Sequence, residues 1–291
     1  MIDEKMIERI TAEVIRQMTA HQTVSESTEK SYGMKAQNGV LPDLTTKEMK
    51  DQITLDRMEN PEMMRQMKEK TPARIGIGNA GARLKTQTYL TLRADHAGAR
   101  DAVFRDVNPE LVQEMGLFSI ESMCTSRNEH LTRPDLGRKL SDDTKKELKS
   151  KCQLNPTVQI YVSDGLSSQA VEANIADILP SLMDGLQGLG IGTGTPFYMR
   201  YGRVPAMDVV SETLGAEVTC VLIGERPGLA TANSMSAYIA YKATVGMPES
   251  RRTVVSNIHS GGIPAAEAGA HIAQVIKTML ERKQSGVDLQ L

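Results

Sequence analysis

The sequence predicts an α/β protein: a doubly wound, Rossmann-like parallel sheet preceded by a mostly helical N-terminal region. Two observations carry this. Between Thr157 and Lys283 the chain repeats one unit, a short apolar run, an abrupt polar tip containing glycine, then an amphipathic segment. The amphipathic segments have the period of a helix, and the apolar runs are only three to six residues long. Such runs between turn signals read as buried parallel strands, with the intervening segments as crossover helices.

The runs are Val158–Val162, Thr195–Met199, Val218–Ile223 and Thr253–Val255. Their tips are Ser163-Asp164-Gly165, Arg200-Tyr201-Gly202, Gly224-Glu225-Arg226 and Ser256-Asn257-Ile258-His259. Segment 166–187 places Val171, Ile175, Ile178, Leu179, Leu182, Met183 and Leu186 at three- and four-residue spacing, a stripe suited to a sheet face. Segment 264–283 opens on Pro264, carries Ile272, Val275, Ile276, Met279 and Leu280, and ends in Arg282 and Lys283, where cations suit the helix dipole. Parallel sheets bind ligands outside the carboxyl ends of their strands, where the loops diverge. Those ends hold Asp164, Arg200, Arg203, Glu225, Arg226, Asn257 and His259. Any one of them reads more readily as a helix cap or ion pair, but four such tips in one domain point to a ligand edge.

Upstream, residues 1–19 predict an amphipathic helix, with Ile2, Met6, Ile10, Val14 and Met18 falling every fourth residue. Residues 20–40 are polar and read as a flexible linker. A helix with an apolar stripe on a tether suggests docking into a groove on another protein. Residues 41–150 are expected to form a mostly helical domain, and residues 151–291 the α/β domain. In the former, Thr45-x-x-Glu48 is a capping box, Asn60-Pro61 breaks the helix, and further helices are expected at about 62–70, 84–105 and 141–151. Gly76-Ile77-Gly78-Asn79-Ala80-Gly81 is formally G-x-G-x-x-G, with Asp95 near the spacing of a ribose-binding acid. No buried strand precedes it, and thirteen residues between Gly81 and Asp95 are too few for a helix and a strand. The segment therefore reads as a loop in which glycine permits close backbone approach.

A net charge of −2 gives no electrostatic footprint for nucleic acid or an anionic membrane. The apolar stretches are too short to span a bilayer and the first residues are charged, so a soluble intracellular protein is expected. Three cysteines form no C-x-x-C pair, and Cys220 within an apolar run reads as a small core residue. The sequence shows no G-x-S-x-G, P-loop, H-E-x-x-H or clustered metal ligands, and its five histidines are scattered. No catalytic or metal-ligating residue is assigned. An α/β domain with a polar carboxyl edge and no chemical apparatus suggests a module that holds a cofactor for another chain.

The same tips carry a family resemblance. Ser163-Asp164-Gly165-Leu166-Ser167, Gly194-Thr195-Pro196-Phe197, Arg200-Tyr201-Gly202-Arg203-Val204, Gly224-Glu225-Arg226-Pro227-Gly228-Leu229 and Ser256-Asn257-Ile258-His259-x-Gly261-Gly262 resemble the small (light) subunit of ethanolamine ammonia-lyase. Upstream, Gly78-x-Ala80-Gly81-x-Arg83-x-x-Thr86, Ala94-Asp95-His96 and Leu131-Thr132-Arg133-Pro134-Asp135-x-Gly137-Arg138 do so too, and the likeness covers about 41–291. The resemblance implies an adenosylcobalamin-dependent lyase that converts ethanolamine to acetaldehyde and ammonia. It also implies a large subunit carrying the substrate site, and six pairs in the assembly. The implied cobalamin contacts are Val204, Glu225 and Val254, the last in place of a cysteine found in some relatives. No histidine has Asp two residues before it, so the D-x-H-x-x-G motif is absent and cobalamin is expected to keep its own lower base. Residues 1–19 resemble, in character, tags that direct cargo to the shell of a cytoplasmic bacterial microcompartment. A nucleotide-dependent oxidoreductase and a purely structural assembly protein remain as alternatives at this point.

Overall fold

The computed structural model describes residues 43, 44 and 46–290, of which 47–290 belong to one unit. The expected helix at 1–19, the linker at 20–40 and Thr45 of the capping box lie outside the described residues.

The first described helices are α1 (Lys47–Lys50), far shorter than a helix running to Asn60, and α2 (Pro61–Glu69). The Asn60 side chain caps α2 by accepting from the Met63 N–H at 2.9 Å. Two short strands, β1 (Asn79–Ala80) and β2 (Arg83–Leu84), form a hairpin ahead of α3 (Thr86–Phe104). The glycine loop is indeed a site of close approach. A Cβ on Gly78 would lie 2.3 Å from the Thr54 carbonyl oxygen. Asp95 is buried and paired with Arg74 and, at 3.1 Å, Lys50. These pairs tie α3 to the segments that carry Lys50 and Arg74.

Next come α4 (Pro109–Glu114), β3 (Phe118–Glu121), α5 (Arg127–Thr132) and α6 (Asp142–Lys151), whose Ser141 cap accepts from the Thr144 N–H. The α/β run follows as β4 (Val158–Ser163), α7 (Ser168–Gly188), β5 (Phe197–Arg200), α8 (Ala206–Leu214), β6 (Val218–Gly224), β7 (Met235–Tyr241), β8 (Thr253–Ile258) and α9 (Ala265–Arg282). The sheet has six strands in the order β3-β5-β4-β6-β7-β8. The first four are mutually parallel, and β7 runs antiparallel to both β6 and β8.

The α/β class agrees with the sequence, but the sheet is mixed rather than wholly parallel. Two strands escaped the sequence reading. β7 (Met-Ser-Ala-Tyr-Ile-Ala-Tyr) interleaves alanine and serine with Tyr238, Ile239 and Tyr241, so its strand formers do not make one continuous branched run. No α-helix lies between Gly224 and Thr253, so the chain returns antiparallel instead of crossing over. β3 is a four-residue edge strand from upstream of the expected domain boundary at 151.

The helices flank the sheet on both faces. The α7 stripe (Val171, Ile175, Ile178, Leu179, Leu182, Leu186) and α9 (Ile272, Val275, Ile276, Met279) bury Ile160, Val162, Leu222 and Ile239. On the other face α6 and α8 cover Tyr161, Phe197, Met199, Val221 and Ile223. α7 and α9 approach closely because Gly269 faces the α7 backbone, where a Cβ would lie 2.7 Å from the Ile178 oxygen.

Candidate functional site

Because β8 runs in the same direction as β6, the tips of β3, β4, β5, β6 and β8 share one edge of the sheet. This is the edge at which the sequence placed its polar tips. Two of these tips take a left-handed turn on a residue with a side chain: Tyr201 after β5 (φ 60°) and Asn257 at the end of β8 (φ 62°). A non-glycine residue held there costs on the order of 1–3 kcal/mol and persists only where its surroundings hold it.

Each turn is held by a carboxylate from a nearby strand end. Asp164, at the end of β4, accepts the Tyr201 N–H at 2.8 Å. Glu225, at the end of β6, accepts the Asn257 N–H at 3.0 Å and the Ser236 hydroxyl at 2.5 Å, both on Oε1. Its carboxylate thereby ties β6 to β7 and to the end of β8.

Asp164 is fully buried, with Arg127 Nη2 2.6 Å from its Oδ2. Burial pushes its carboxyl up to about 6, while Arg127 and the Tyr201 amide pull the other way. Arg127 also donates to the Arg105 carbonyl (3.1 Å) and Asp106 (2.9 Å), and lies 4.8 Å from the Tyr201 ring centroid. Asp106 is shared with Arg200, which also reaches Glu121.

His130 completes this cluster from α5. It is wholly buried, with Nδ1 2.9 Å from the Tyr201 carbonyl and Nε2 2.8 Å from the Gly165 carbonyl. Burial and the charge of Arg203 push the imidazole down to about 4, against the two carbonyl contacts, which favour the charged ring. A neutral ring can donate to only one of these carbonyls, so both contacts are satisfied only by the charged form. Arg203 donates from Nη2 to the His130 carbonyl at 2.7 Å, and its N–H to the Gly137 carbonyl at 2.8 Å. These contacts fix the segment that carries Val204.

The three sequence-designated residues fall on one face of the sheet, the face covered by α6 and α8. Val204 is half-buried and packs on that core. Glu225 lies two residues beyond Ile223, which points to the same side. Val254 pairs with Tyr238 of β7, and Tyr238 packs against the same core. Toward β8 this face opens: Tyr238 is half-buried, Ser256 is exposed, and Val254 is 44% exposed. From β5 to β8 there are four inter-strand steps, about 19 Å across the sheet at roughly 4.8 Å each. The three residues thus mark a broad surface rather than a pocket.

His259, at the tip of β8, is also engaged. His259 Nε2 lies 2.8 Å from Asn257 Oδ1, and its Nδ1 accepts the Gly261 N–H at 3.1 Å. Among the described residues no group of three or more His, Cys, Asp or Glu is placed to hold a metal ion. All three cysteines are free and buried, and burial pushes the Cys220 thiol up to about 12, as befits a core residue. Among the described residues no helix is long and apolar enough to cross a membrane.

The sequence reading missed the layer beneath the surface, Asp106, Arg127 and His130, all upstream of the expected domain. The one available signal was Arg127 and His130 three apart behind the helix cap Ser126, which places both on one side of a short helix.

Comparisons with known proteins agree in direction. A family profile described as "Ethanolamine ammonia-lyase light chain (EutC)" matches residues 61–290. The ethanolamine ammonia-lyase small subunit of Clostridium tetani (strain Massachusetts / E88) is 55% identical over 295 residues, covering 100% of both chains. That of Fusobacterium nucleatum subsp. nucleatum is 52% identical over 296 residues, again covering 100% of both. The Clostridioides difficile (strain 630) small subunit is 47% identical over 293 residues, covering 99% of this chain and 100% of its own.

Proposed function

The chain belongs to the family of ethanolamine ammonia-lyase small (light) subunits, and from that premise we propose that it holds adenosylcobalamin against a large catalytic subunit. The observation that carries this reading is the common face of Val204, Glu225 and Val254, open toward β8 and braced from behind by two carboxylate-held turns.

The residues suit the group. A corrin is a broad apolar ring fringed with neutral amides, so its site calls for an extended apolar surface with a few aimed polar atoms. Exposed Val254 and half-buried Val204 supply apolar surface. Glu225 has an oxygen to spare, since both of its hydrogen bonds fall on Oε1, and that oxygen can accept from an amide NH₂. His259 has both ring nitrogens occupied, which favours a cofactor that keeps its own lower base. When bound, the cofactor supplies a radical by homolysis of its cobalt–carbon bond, for the conversion of ethanolamine to acetaldehyde and ammonia. This chain orients the ring and keeps water from one side of it. The substrate-handling groups are assigned to the large subunit, so this chain with cofactor alone should not deaminate ethanolamine.

The test is co-purification with the large subunit followed by a visible spectrum on adding adenosylcobalamin. A cofactor spectrum that shifts and stays with the complex is the expected result. A complex that forms without retaining cobalamin would overturn the reading. By the same family logic six pairs assemble, which a mass measurement on the complex checks. Residues 1–19 would bind a microcompartment shell protein and place the enzyme inside the compartment. Their deletion should abolish encapsulation and leave lyase activity intact.

A further inference from the structure

Tyr238 stands at the centre of the open face with an unused hydroxyl. Its Cα partner on β8 is Val254. Two residues earlier on the same strand, and so on the same face, Ser236 donates to Glu225 Oε1. Among the described residues the Tyr238 hydroxyl makes no hydrogen bond, although its ring packs on the core and carries it partly out of water. Burial, then the charges of Glu225 and Glu249, hold the phenol above its ordinary range, so it is a protonated donor throughout the neutral region. The ring is half-buried while its hydroxyl is not among the buried atoms, so the phenol can meet a ligand, and among the described residues it has no partner.

We infer that Tyr238 and Glu225 together read one primary carboxamide on the rim of the cofactor. A primary carboxamide offers one carbonyl acceptor and an NH₂ donor. Reading it fully needs a donor and an acceptor on one face, and this face offers the Tyr238 hydroxyl as donor and, held by Ser236 two residues along β7, the Glu225 carboxylate as acceptor. A site built on both polarities discriminates far better than one built on apolar contact. The inference deepens the cobalamin reading and rests on it.

The experiment titrates the complex of this chain and the large subunit with cobalamin, reading affinity from the visible spectrum. The probes are cobalamin and its monocarboxylic acids, each with one rim carboxamide replaced by a carboxylate. Tyr238→Phe and Glu225→Gln should each raise the dissociation constant about two- to tenfold. The double variant should bind little worse than the weaker single, because both side chains serve one amide. One monocarboxylic acid should bind wild type much more weakly than the others, and Glu225→Gln should relieve that penalty by removing the like charge. Tyr238→Phe within twofold of wild type, single effects that multiply in the double variant, or monocarboxylic acids that all behave alike would overturn the inference. Wild-type complex that binds no cobalamin would overturn the underlying reading and this one with it. Cobalamin bound normally by wild type and by Tyr238→Phe would overturn only this one.

Discussion

Replacing Asp164 by Asn tests whether the buried Asp164–Arg127 pair carries the candidate site. The variant keeps the shape of the side chain and leaves an amide oxygen for the Tyr201 N–H, so the change is chiefly the loss of charge. Arg127, with its side chain only 9% exposed, then loses its closest counter-ion. Removing one partner of a buried pair costs about 3–5 kcal/mol. Arg127 retains Asp106, whose side chain is 44% exposed and therefore better screened, which places the cost near the lower end. A loss of about 3 kcal/mol is a large share of a domain stability of roughly 5–15 kcal/mol. Arg127→Met leaves Asp164 buried without its cation and removes the contact with the Tyr201 ring. The double variant has neither charge and should be more stable than the sum of the two single losses predicts, by about 0.5–3 kcal/mol. Urea unfolding of wild type, both singles and the double, followed at fixed m, measures this cycle. A loss under about 1 kcal/mol for Asp164→Asn, or single losses that simply add, would refute the reasoning.

Further outcomes follow from other sites. His130→Gln should remove an acid-sensitive component of stability. The folded imidazole sits near 4 against an ordinary 6.5, so wild type loses about 3 kcal/mol relative to the variant as pH falls from 6.5 through 4. Parallel stability profiles for the two proteins would contradict this. Gly269→Ala should cost about 1–3 kcal/mol, because the new Cβ meets the α7 backbone at Ile178 and Leu182. Gly98→Ala, in the interior of α3 with open space around it, should instead stabilise by about 0.5–1 kcal/mol, and thermal unfolding separates the two. Glu225→Ala should lower stability as well as cofactor affinity, since the Ser236 hydroxyl and Asn257 N–H both lose their acceptor. A variant of wild-type stability would show that the carboxylate does not brace these turns.

The legible part of the fold was the part written in hydrophobic period. The α7 and α9 stripes and the apolar runs of β4, β5 and β6 announce themselves because each buries a full face or strand. β7 was hidden because alanine and serine suffice where the strand lies between two others, and β3 because an edge strand of four residues needs no apolar run. The tips Asp164, Arg200, Glu225 and Asn257 were legible as one edge because topology collects strand ends. What they do there was not. Glu225 reads in sequence as a free acid on a loop, and only the pairing of β6 with β7 and of β7 with β8 reveals the two donors it holds. His130 was one of five scattered histidines, and its burial between two carbonyls depends on contacts 35 and 71 residues away in sequence.

The alternation along β8 separates two kinds of evolutionary constraint within six residues. Val255 and Ile258 are buried on the α9 side and answer to folding. Val254 and Ser256 face the open side, where a substitution changes the surface offered to a ligand while leaving the core packing alone. Such a strand can be retuned for binding with little loss of robustness. Saturation mutagenesis scored separately for abundance and for cofactor binding should show this as two interleaved patterns, with abundance tracking 255 and 258 and binding tracking 254 and 256.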